Sequence, residues 1–463
     1  MSFLTKKTAR TLPVTPVSAD GLDVFIRKQD ARTAAWIRTS GYTATAGNLL
    51  LIPDADGSLS RVLFGVGRDD SLYTYAALPA LLPKNDAGYF IDRKFSKERA
   101  TDVAIGWTMG CYQFSQYKTG RKKDFAHLVW PDGADRKFVT AVAEAITLVR
   151  DMVNAPANDM GPEEIAAATQ KLAKSFPKTS FSTIVGDDLL KKNYPAVHAV
   201  GKGSPRAPRI AEFTWGSNPK HPLVTLVGKG VAFDTGGLDI KPASAMALMK
   251  KDMGGAAHVL GLAHIIMSQN LPVRLRVIIA AVENATDGNA FRPGDILKTR
   301  KGITVEVGDT DAEGRLILAD GLAESCRDNP DLIIDFATLT GAARVALGPD
   351  LPAMFCNDDK IADALAASSR KTQDPLWRLP LWTPYRDMLA SKVADTNNIG
   401  GSFAGAITAA LFLEKFVDPS CRWVHIDTFA WNAGARPGRP DGGEALGIRA
   451  CYDLIKTTIA KKK

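Results

Sequence analysis

Short apolar runs bounded by turn residues mark the N-terminal part of the chain: 22-LDVFIR-27, 48-NLLLIPD-54 and 60-SRVLFGVG-67. Their length and flanks predict β-strands, and 73-YTYAALPALLP-83 reads as helical. A small α/β domain over residues 1–132 follows, with no recognisable chemistry in it. Next, 138-FVTAVAEAITLVRDMV-153 sets Phe138, Val142, Ala145, Ile146, Val149 and Val153 at helical spacing, so one face is buried. Residues 133–153 therefore predict a connecting helix. It is stopped by 154-NAPANDMGP-162, where Pro162 can open the next helix.

From residue 154 to residue 463 the pattern alternates. Strands are predicted at 223-LVTLVG-228, 274-RLRVIIAAV-282, 303-ITVEVG-308, 331-DLIIDFATL-339 and 422-RWVHIDTF-429. Several are near-continuous apolar runs, as strands covered on both faces require. Helical patterns lie between them at 245–270, 315–328 and 404–416. Strand and helix at this spacing predict a second, larger α/β domain whose central mixed, largely parallel sheet is flanked by helices. Ligands bind such sheets at the carboxyl ends of the strands.

Composition narrows the function classes. The 463 residues are 45% hydrophobic and 23% charged, as in an ordinary globular chain of about two domains. No continuous apolar stretch predicts a membrane span or a secretory leader. Five scattered cysteines without a CxxC pair fit a reducing cytoplasm. The net charge of +8 raises nucleic acid as a partner, but the basic residues are dispersed and the runs 121-RKK-123 and 461-KKK-463 are short, so this is not the expected main function.

The candidate chemistry is acidic. In 227-VGKGVAFDTGGLDIKP-242 a predicted strand ends in a glycine-rich loop holding Lys229, Asp234 and Lys241. A phosphate-binding loop is excluded by the missing GxxxxGK[ST] and by the acids. Asp252 sits in the otherwise apolar 248-LMKKDMGGAA-257, and 308-GDTDAEGRLILADGL-322 crowds Asp309, Asp311 and Glu313 at a strand-to-helix turn. Like charges this close raise one another's pKa unless a cation neutralises them. An oxygen-rich set points to Mg²⁺, Mn²⁺ or Zn²⁺. Taken singly, each residue has a plainer reading. Asp311 and Glu313 can be acids at a helix N-terminus, Asp252 can pair with Lys250 or Lys251, and Lys229 can be surface. The six histidines show no HExxH and read as structural.

Together, VGKGxxFDTGG, MKKDMGGAA, DTDAEGRL and 338-TLTGA-342, in that order, resemble the leucyl aminopeptidase family of two-metal exopeptidases. The blocks 150-RDMVNAPAN-158, 283-ENATDGNAFRPGD-295 and 397-NNIGGSFAGAITAALFL-413 extend the likeness over roughly residues 137 to 450. The resemblance implies a catalytic peptidase domain over 154–463 and a bimetallic centre. Asp234 and Glu313 would bridge two ions, Lys229 (as a neutral amine) and Asp252 would complete the tighter site, and Asp311 the more exchangeable one. Manganese or zinc is implied, with magnesium a third candidate. Lys241 would stay protonated and polarise the scissile carbonyl, while Arg315 would hold a bicarbonate that relays a proton. Met249, Thr338, Leu339 and Gly341 would line the substrate groove. The family further implies a cytoplasmic homohexamer acting on short peptides with leucine-like N-terminal residues.

Three departures stand out. Asp309 replaces the family's usual asparagine, which adds negative potential beside Asp311. Phe429, Ala430 and Trp431 replace small residues after 425-HID-427, which reshapes the side-chain pocket. The charge balance is basic. The competing functions are a DNA-binding or regulatory protein on the same scaffold and a narrow-specificity dipeptidase. Gly314 is expected to let the chain turn sharply into the helix that presents Arg315.

Overall fold

A computed structural model describes residues 3–120 and 122–461. Arg121 of the first basic run and Lys462 and Lys463 of the second lie outside the described residues, as do Met1 and Ser2. Two compact units emerge, Met1–Ala143 with Gly434–Asp441, and Glu144–Ala433 with Gly442–Lys463. The division at 143/144 falls inside the helix Arg136–Asn154.

The first unit is built on a six-stranded sheet, ordered Phe3–Leu4, Leu128–Val129, Tyr89–Ile91, Leu12–Ser18, Leu59–Gly67, Leu49–Pro53. Phe64, Tyr75, Trp107 and Leu128 form its main core. The run 22-LDVFIR-27, expected as a strand, is instead the helix Leu22–Arg27. Leu22, Phe25 and Ile26 follow helical spacing, and all three pack into one apolar cluster. The strand lies just before it at Leu12–Ser18, where Pro13 and Pro16 masked it, since proline rarely sits inside a sheet.

The second unit is organised by an eight-stranded sheet, ordered Trp377–Arg378, Ala353–Cys356, Trp423–Asp427, Leu332–Ala337, Leu223–Asp234, Arg274–Asn284, Arg209–Trp215, Thr179–Val185. Its four middle strands, Trp423–Asp427 through Arg274–Asn284, are parallel, and antiparallel strands flank them. The expected mixed, largely parallel sheet is present. The Leu223–Asp234 strand is buried along nearly its whole length because helices cover both faces. Val227, Ile278, Ile333, Leu316, Phe412 and Trp423 belong to one core cluster. Among the described residues no helix is long and apolar enough to cross a membrane.

Three expected elements differ. The strand at 223 runs on to Asp234, so Lys229 and Asp234 are strand residues and not loop residues. Gly228 and Gly230 permit this: a Cβ at Gly228 would stand 2.7 Å from Ala256 Cα, and one at Gly230 2.7 Å from the Ala280 carbonyl oxygen. The 303–308 segment contributes only Thr304–Glu306, and that strand joins a separate three-stranded sheet with Ile296–Lys298 and Thr396–Asn397. The single helix expected over 245–270 is three pieces: Ala243–Met246, a 3₁₀ turn at Met249–Met253, and the helix Gly254–Ser268.

That last helix lies so close to the sheet that a Cβ on Gly255 would stand 2.1 Å from the Phe336 carbonyl oxygen. Backbone cannot yield as a side-chain tip can, so overpacking there forces helix and strand apart. Gly255→Ala is therefore expected to lower stability by about 2 kcal/mol or more in denaturant unfolding. At Gly288 an added Cβ meets nothing within 4 Å. Gly288→Ala should change stability by less than about 0.5 kcal/mol. Equal losses at the two sites would contradict the contact.

Candidate metal centre

Three elements deliver the acidic residues to one place. The strand Leu223–Asp234 carries Lys229 and ends on Asp234, the 3₁₀ turn Met249–Met253 carries Asp252, and the helix Glu313–Ser325 begins with Glu313. One carboxylate oxygen each from Asp234, Asp252 and Glu313 lies within 4.8 Å of the others, and all three residues are buried. Lys229, 3% exposed, joins them. Its Nζ is 2.8 Å from Asp252 Oδ2 and 3.0 Å from Glu313 Oε1, and it donates to the Thr338 carbonyl oxygen at 2.8 Å. Lys241 Nζ lies 2.8 Å from Asp234 Oδ2 and also pairs with Asp311.

The plainer readings of these residues fail on geometry. Lys229 is not on the surface. Asp252 pairs with neither neighbouring lysine: Lys250 Nζ donates to the Asn154 carbonyl oxygen at 2.7 Å, and the Lys251 ammonium lies 4.7 Å from the centre of the Phe429 ring. None of the histidines lines the cavity here. His258 and His425 are buried elsewhere, His258 Nδ1 donating to the Gly254 carbonyl oxygen at 2.7 Å and His425 pairing with Asp335 at 2.6 Å.

Four carboxylates thus face two ammonium groups, and the imbalance shows in their protonation. Burial, then the Asp234 charge, pushes Glu313 well above the usual carboxylate range. Burial raises Asp252 too, against the pull of Lys229. Asp311 is pushed up to about 6 by burial and by Asp234, with Lys241 opposing. Burial alone would lower Lys229, but Asp252, Glu313 and Asp234 outweigh it and hold the ammonium above its ordinary value. Lys241 is raised in the same way by Asp234 and Asp311. An excess of buried negative charge favours a bound proton on acid and amine alike.

The cage has room in its bonding for more positive charge. Among the described residues Glu313 Oε2 is buried with neither a hydrogen bond nor an ion pair, and Glu313 Oε1 and Asp252 Oδ2 pair only with the Lys229 ammonium. A buried carboxylate oxygen left this way costs about 1–3 kcal/mol or more. Hard oxygen donors converging with one amine could hold a divalent cation.

Neutral groups fix the acids in place. Asn284 Nδ2 donates to Asp234 Oδ1 at 2.8 Å and to the Thr310 carbonyl oxygen at 3.1 Å. Asn398 accepts the N–H groups of Gly308 and Asp309 and donates to the Asp309 carbonyl oxygen at 2.7 Å. The Thr338 hydroxyl donates to Asp252 Oδ1 at 2.8 Å, so a residue expected only to line the groove also orients an acid. Sequence reasoning assigned no role to Asn284 and Asn398, although both lie in blocks that carry the family likeness.

Gly314 serves another purpose than the expected sharp turn. It is helical, and a Cβ there would stand 2.5 Å from Lys229 Cε, so its missing side chain is what admits the lysine. Arg315 follows on the same turn; its Nη1 donates to the Asn398 carbonyl oxygen at 2.7 Å and its Nε is buried without a partner among the described residues. Burial lowers it to about 10, still cationic at neutral pH. Asp309 Oδ1 accepts the Asp311 N–H at 2.7 Å, and its charge adds to the upward shift of Asp311.

Lys229, Asp234, Lys241, Asp252, Asp311 and Arg315 line one cavity of about 640 Å³ within the second unit, and Met249, Thr338, Leu339 and Gly341 line it too. Phe429 also lines it, and the Lys251 ammonium and the Arg344 guanidinium both lie over its ring.

Comparison with known proteins agrees along the whole chain. Residues 147–452 match the cytosol aminopeptidase family, catalytic domain, and residues 12–131 match the M17 aminopeptidase N-terminal domain. A probable cytosol aminopeptidase of Rhizobium meliloti is 40% identical over 418 residues, covering 85% of this chain and 82% of the relative. The crystal structure of a cytosol aminopeptidase from Coxiella burnetii is 47% identical, with a TM-score of 0.94 over 99% of both chains. The bottromycin maturation enzyme BotP in complex with Mn is 33% identical, with a TM-score of 0.85 over 97% of this chain and 99% of its own. A family match across both units, with the family's acidic motifs gathered in one buried cage, makes this chain a member of the M17 cytosol aminopeptidase family and a metallo-aminopeptidase.

Proposed function

We propose that Lys229, Asp234, Asp252, Asp311 and Glu313 hold two divalent ions, and that the protein removes leucine-like residues from the N-termini of short peptides. The observation that carries this reading is the buried Glu313 carboxylate, which has an oxygen without a partner among the described residues, inside a cage of excess negative charge. Manganese or zinc suits this donor set, with magnesium a third candidate; the manganese complex of BotP supports the first. Two ions held there would supply acidified water and stabilisation of a developing oxyanion.

The chain's own groups do the remaining work. Lys241 is a permanent cation on the cavity wall, placed to donate to the scissile carbonyl oxygen once its carboxylate partners are taken up by stronger cations. Arg315 presents an unpartnered buried Nε, which suits it to hold bicarbonate as a carrier of the proton lost by attacking water. The carboxylate excess attracts a free α-amine and offers nothing to a blocked one. Met249, Thr338, Leu339 and Gly341 form the wall that the substrate lies against. A cytoplasmic location is supported by the relatives' names. A homohexamer rests on the family likeness and is open to light scattering.

Leucinamide should be hydrolysed and N-acetyl-leucinamide should not, as followed by release of free ammonia. Comparable turnover of both would rule out an exopeptidase. Metal affinity should also depend on pH with a defined sign. Asp311 holds a proton below about 6, and a protonated carboxyl cannot accept a cation. Glu313 and Asp252 are raised as well, and the Lys229 ammonium must give up its proton to become a ligand. Apparent Mn²⁺ affinity of chelator-stripped protein, titrated calorimetrically, should therefore rise with pH through neutrality and fall more steeply, by about a further tenfold per pH unit, below about 6. In the same titration Glu313→Gln should lose at least one binding event. Unchanged stoichiometry in that variant would remove Glu313 from the ligand set.

A further inference from the structure

We infer that Lys251 and Arg344, both over the Phe429 ring, form a cationic subsite that admits substrates whose N-terminal side chain is a carboxylate, aspartyl or glutamyl, beside the leucine-like ones. The inference rests on the aminopeptidase reading and specifies the substrate class of the same cavity. The Lys251 ammonium lies 4.7 Å from the Phe429 ring centre and the Arg344 guanidinium 4.9 Å from it. All three residues line the cavity that holds the acidic cage, together with Met249 and Thr338.

Neither cation has an acid of its own. Among the described residues the side chain of Lys251, a residue only 5% exposed, makes no hydrogen bond or ion pair, and the side chain of Arg344 makes none either. The acids in reach are already engaged. Asp252 is held by Lys229 and the Thr338 hydroxyl. Asp427 accepts the N–H groups of Leu339 and Thr340 and the Thr340 hydroxyl. An aromatic face compensates a desolvated cation only in part, so two such cations turned to one cavity leave a demand for an anion. A guanidinium meets a carboxylate with two parallel donors, and an ammonium beside it adds a point charge.

The position of the ring is fixed by backbone. Ala430 takes a left-handed conformation, φ 56°, and its Cβ would clash with any side chain at Gly254, where a Cβ would lie 2.5 Å away. That close approach ties the turn bearing Phe429 to the helix that follows Asp252. The cavity consequently has two poles. Its carboxylate pole takes the substrate's α-amine, and its Lys251–Arg344 pole takes a negative side chain.

The test compares isosteres. With Mn²⁺-loaded wild type, kcat/KM for glutamyl-7-amido-4-methylcoumarin should exceed that for the glutaminyl analogue by tenfold or more. Arg344→Glu, at an exposed site, and Lys251→Met should each bring that ratio down towards one or below. Calorimetric binding of L-glutamate against L-glutamine should move in parallel. Activity on leucyl amide with no glutamyl advantage in wild type would overturn the inference and leave the aminopeptidase reading intact. Absence of turnover on every amide would overturn that reading instead. A second pair, Leu-Gly against Leu-Gly-amide, tests the other source of a carboxylate. If Arg344→Glu and Lys251→Met abolish a preference for Leu-Gly but leave the glutamyl ratio unchanged, the subsite serves the peptide C-terminus and the assignment to the side chain fails.

Discussion

Lys229 projects from the middle of a central strand into a place almost closed to solvent, and its ammonium pairs with the carboxylates of Asp252 and Glu313. In a medium of low dielectric a lone carboxylate or a lone ammonium there would lose its charge. Together the acids hold the ammonium charged and it opposes their protonation, but they outnumber the amines and their affinity for a proton stays raised. Much of the surrounding architecture follows from that one contact. Gly314 has no side chain because the lysine passes through its space, and the first turn of the Glu313–Ser325 helix must therefore lie against the strand. Thr338 turns both its carbonyl oxygen and its hydroxyl toward the pair.

The strands set the spacing. Asp234 and Asn284 face each other in register at the carboxyl ends of two parallel neighbours, so an amide donor meets a carboxylate without any loop to adjust. Thr338 follows directly on the end of the adjacent strand, Leu332–Ala337. Loops supply only Lys241 and Asp311. These are the more open members of the cluster, with side chains 12% and 35% exposed, and they pair with each other. The buried half of the cage thus stands on rigid elements and the accessible half on segments that can adapt to a bound cation.

Legibility in the sequence followed the physics of each feature. Continuous apolar runs located the four parallel strands, because burial on both faces leaves an unbroken signal. The strand Leu12–Ser18 was hidden by its prolines, and a helix was taken for a strand at Leu22–Arg27 because six residues are too few to separate the two periods. The acidic residues were legible as a group that like-charge repulsion would disperse unless something positive joined them. Their mutual placement was not, since it depends on non-local approach: Gly228 against Ala256, Gly255 against Phe336, Gly314 against Lys229. Nor could Asp252 be paired correctly, because its partner is 23 positions upstream and two lysines stand beside it in the chain.

The choice of supporting groups carries a further consequence. Asn284 and Asn398 orient Asp234 and the 308–312 loop through neutral amides. An arginine in either place would bind more strongly but would cancel charge that the cage needs in order to attract a cation. Neutral donors fix direction and leave the net charge untouched. Among the described residues the only cations in contact with these acids are two lysines, whose single ammonium on a flexible stem can be displaced where a forked guanidinium cannot. Arg315, two residues after Glu313, is bonded to the Asn398 carbonyl oxygen and makes no ion pair with the acids among the described residues. The site therefore keeps Lys241 and Arg315 as permanent positive charge beside the cage and Lys229 as the removable positive charge inside it, an arrangement suited to exchanging a proton for metal.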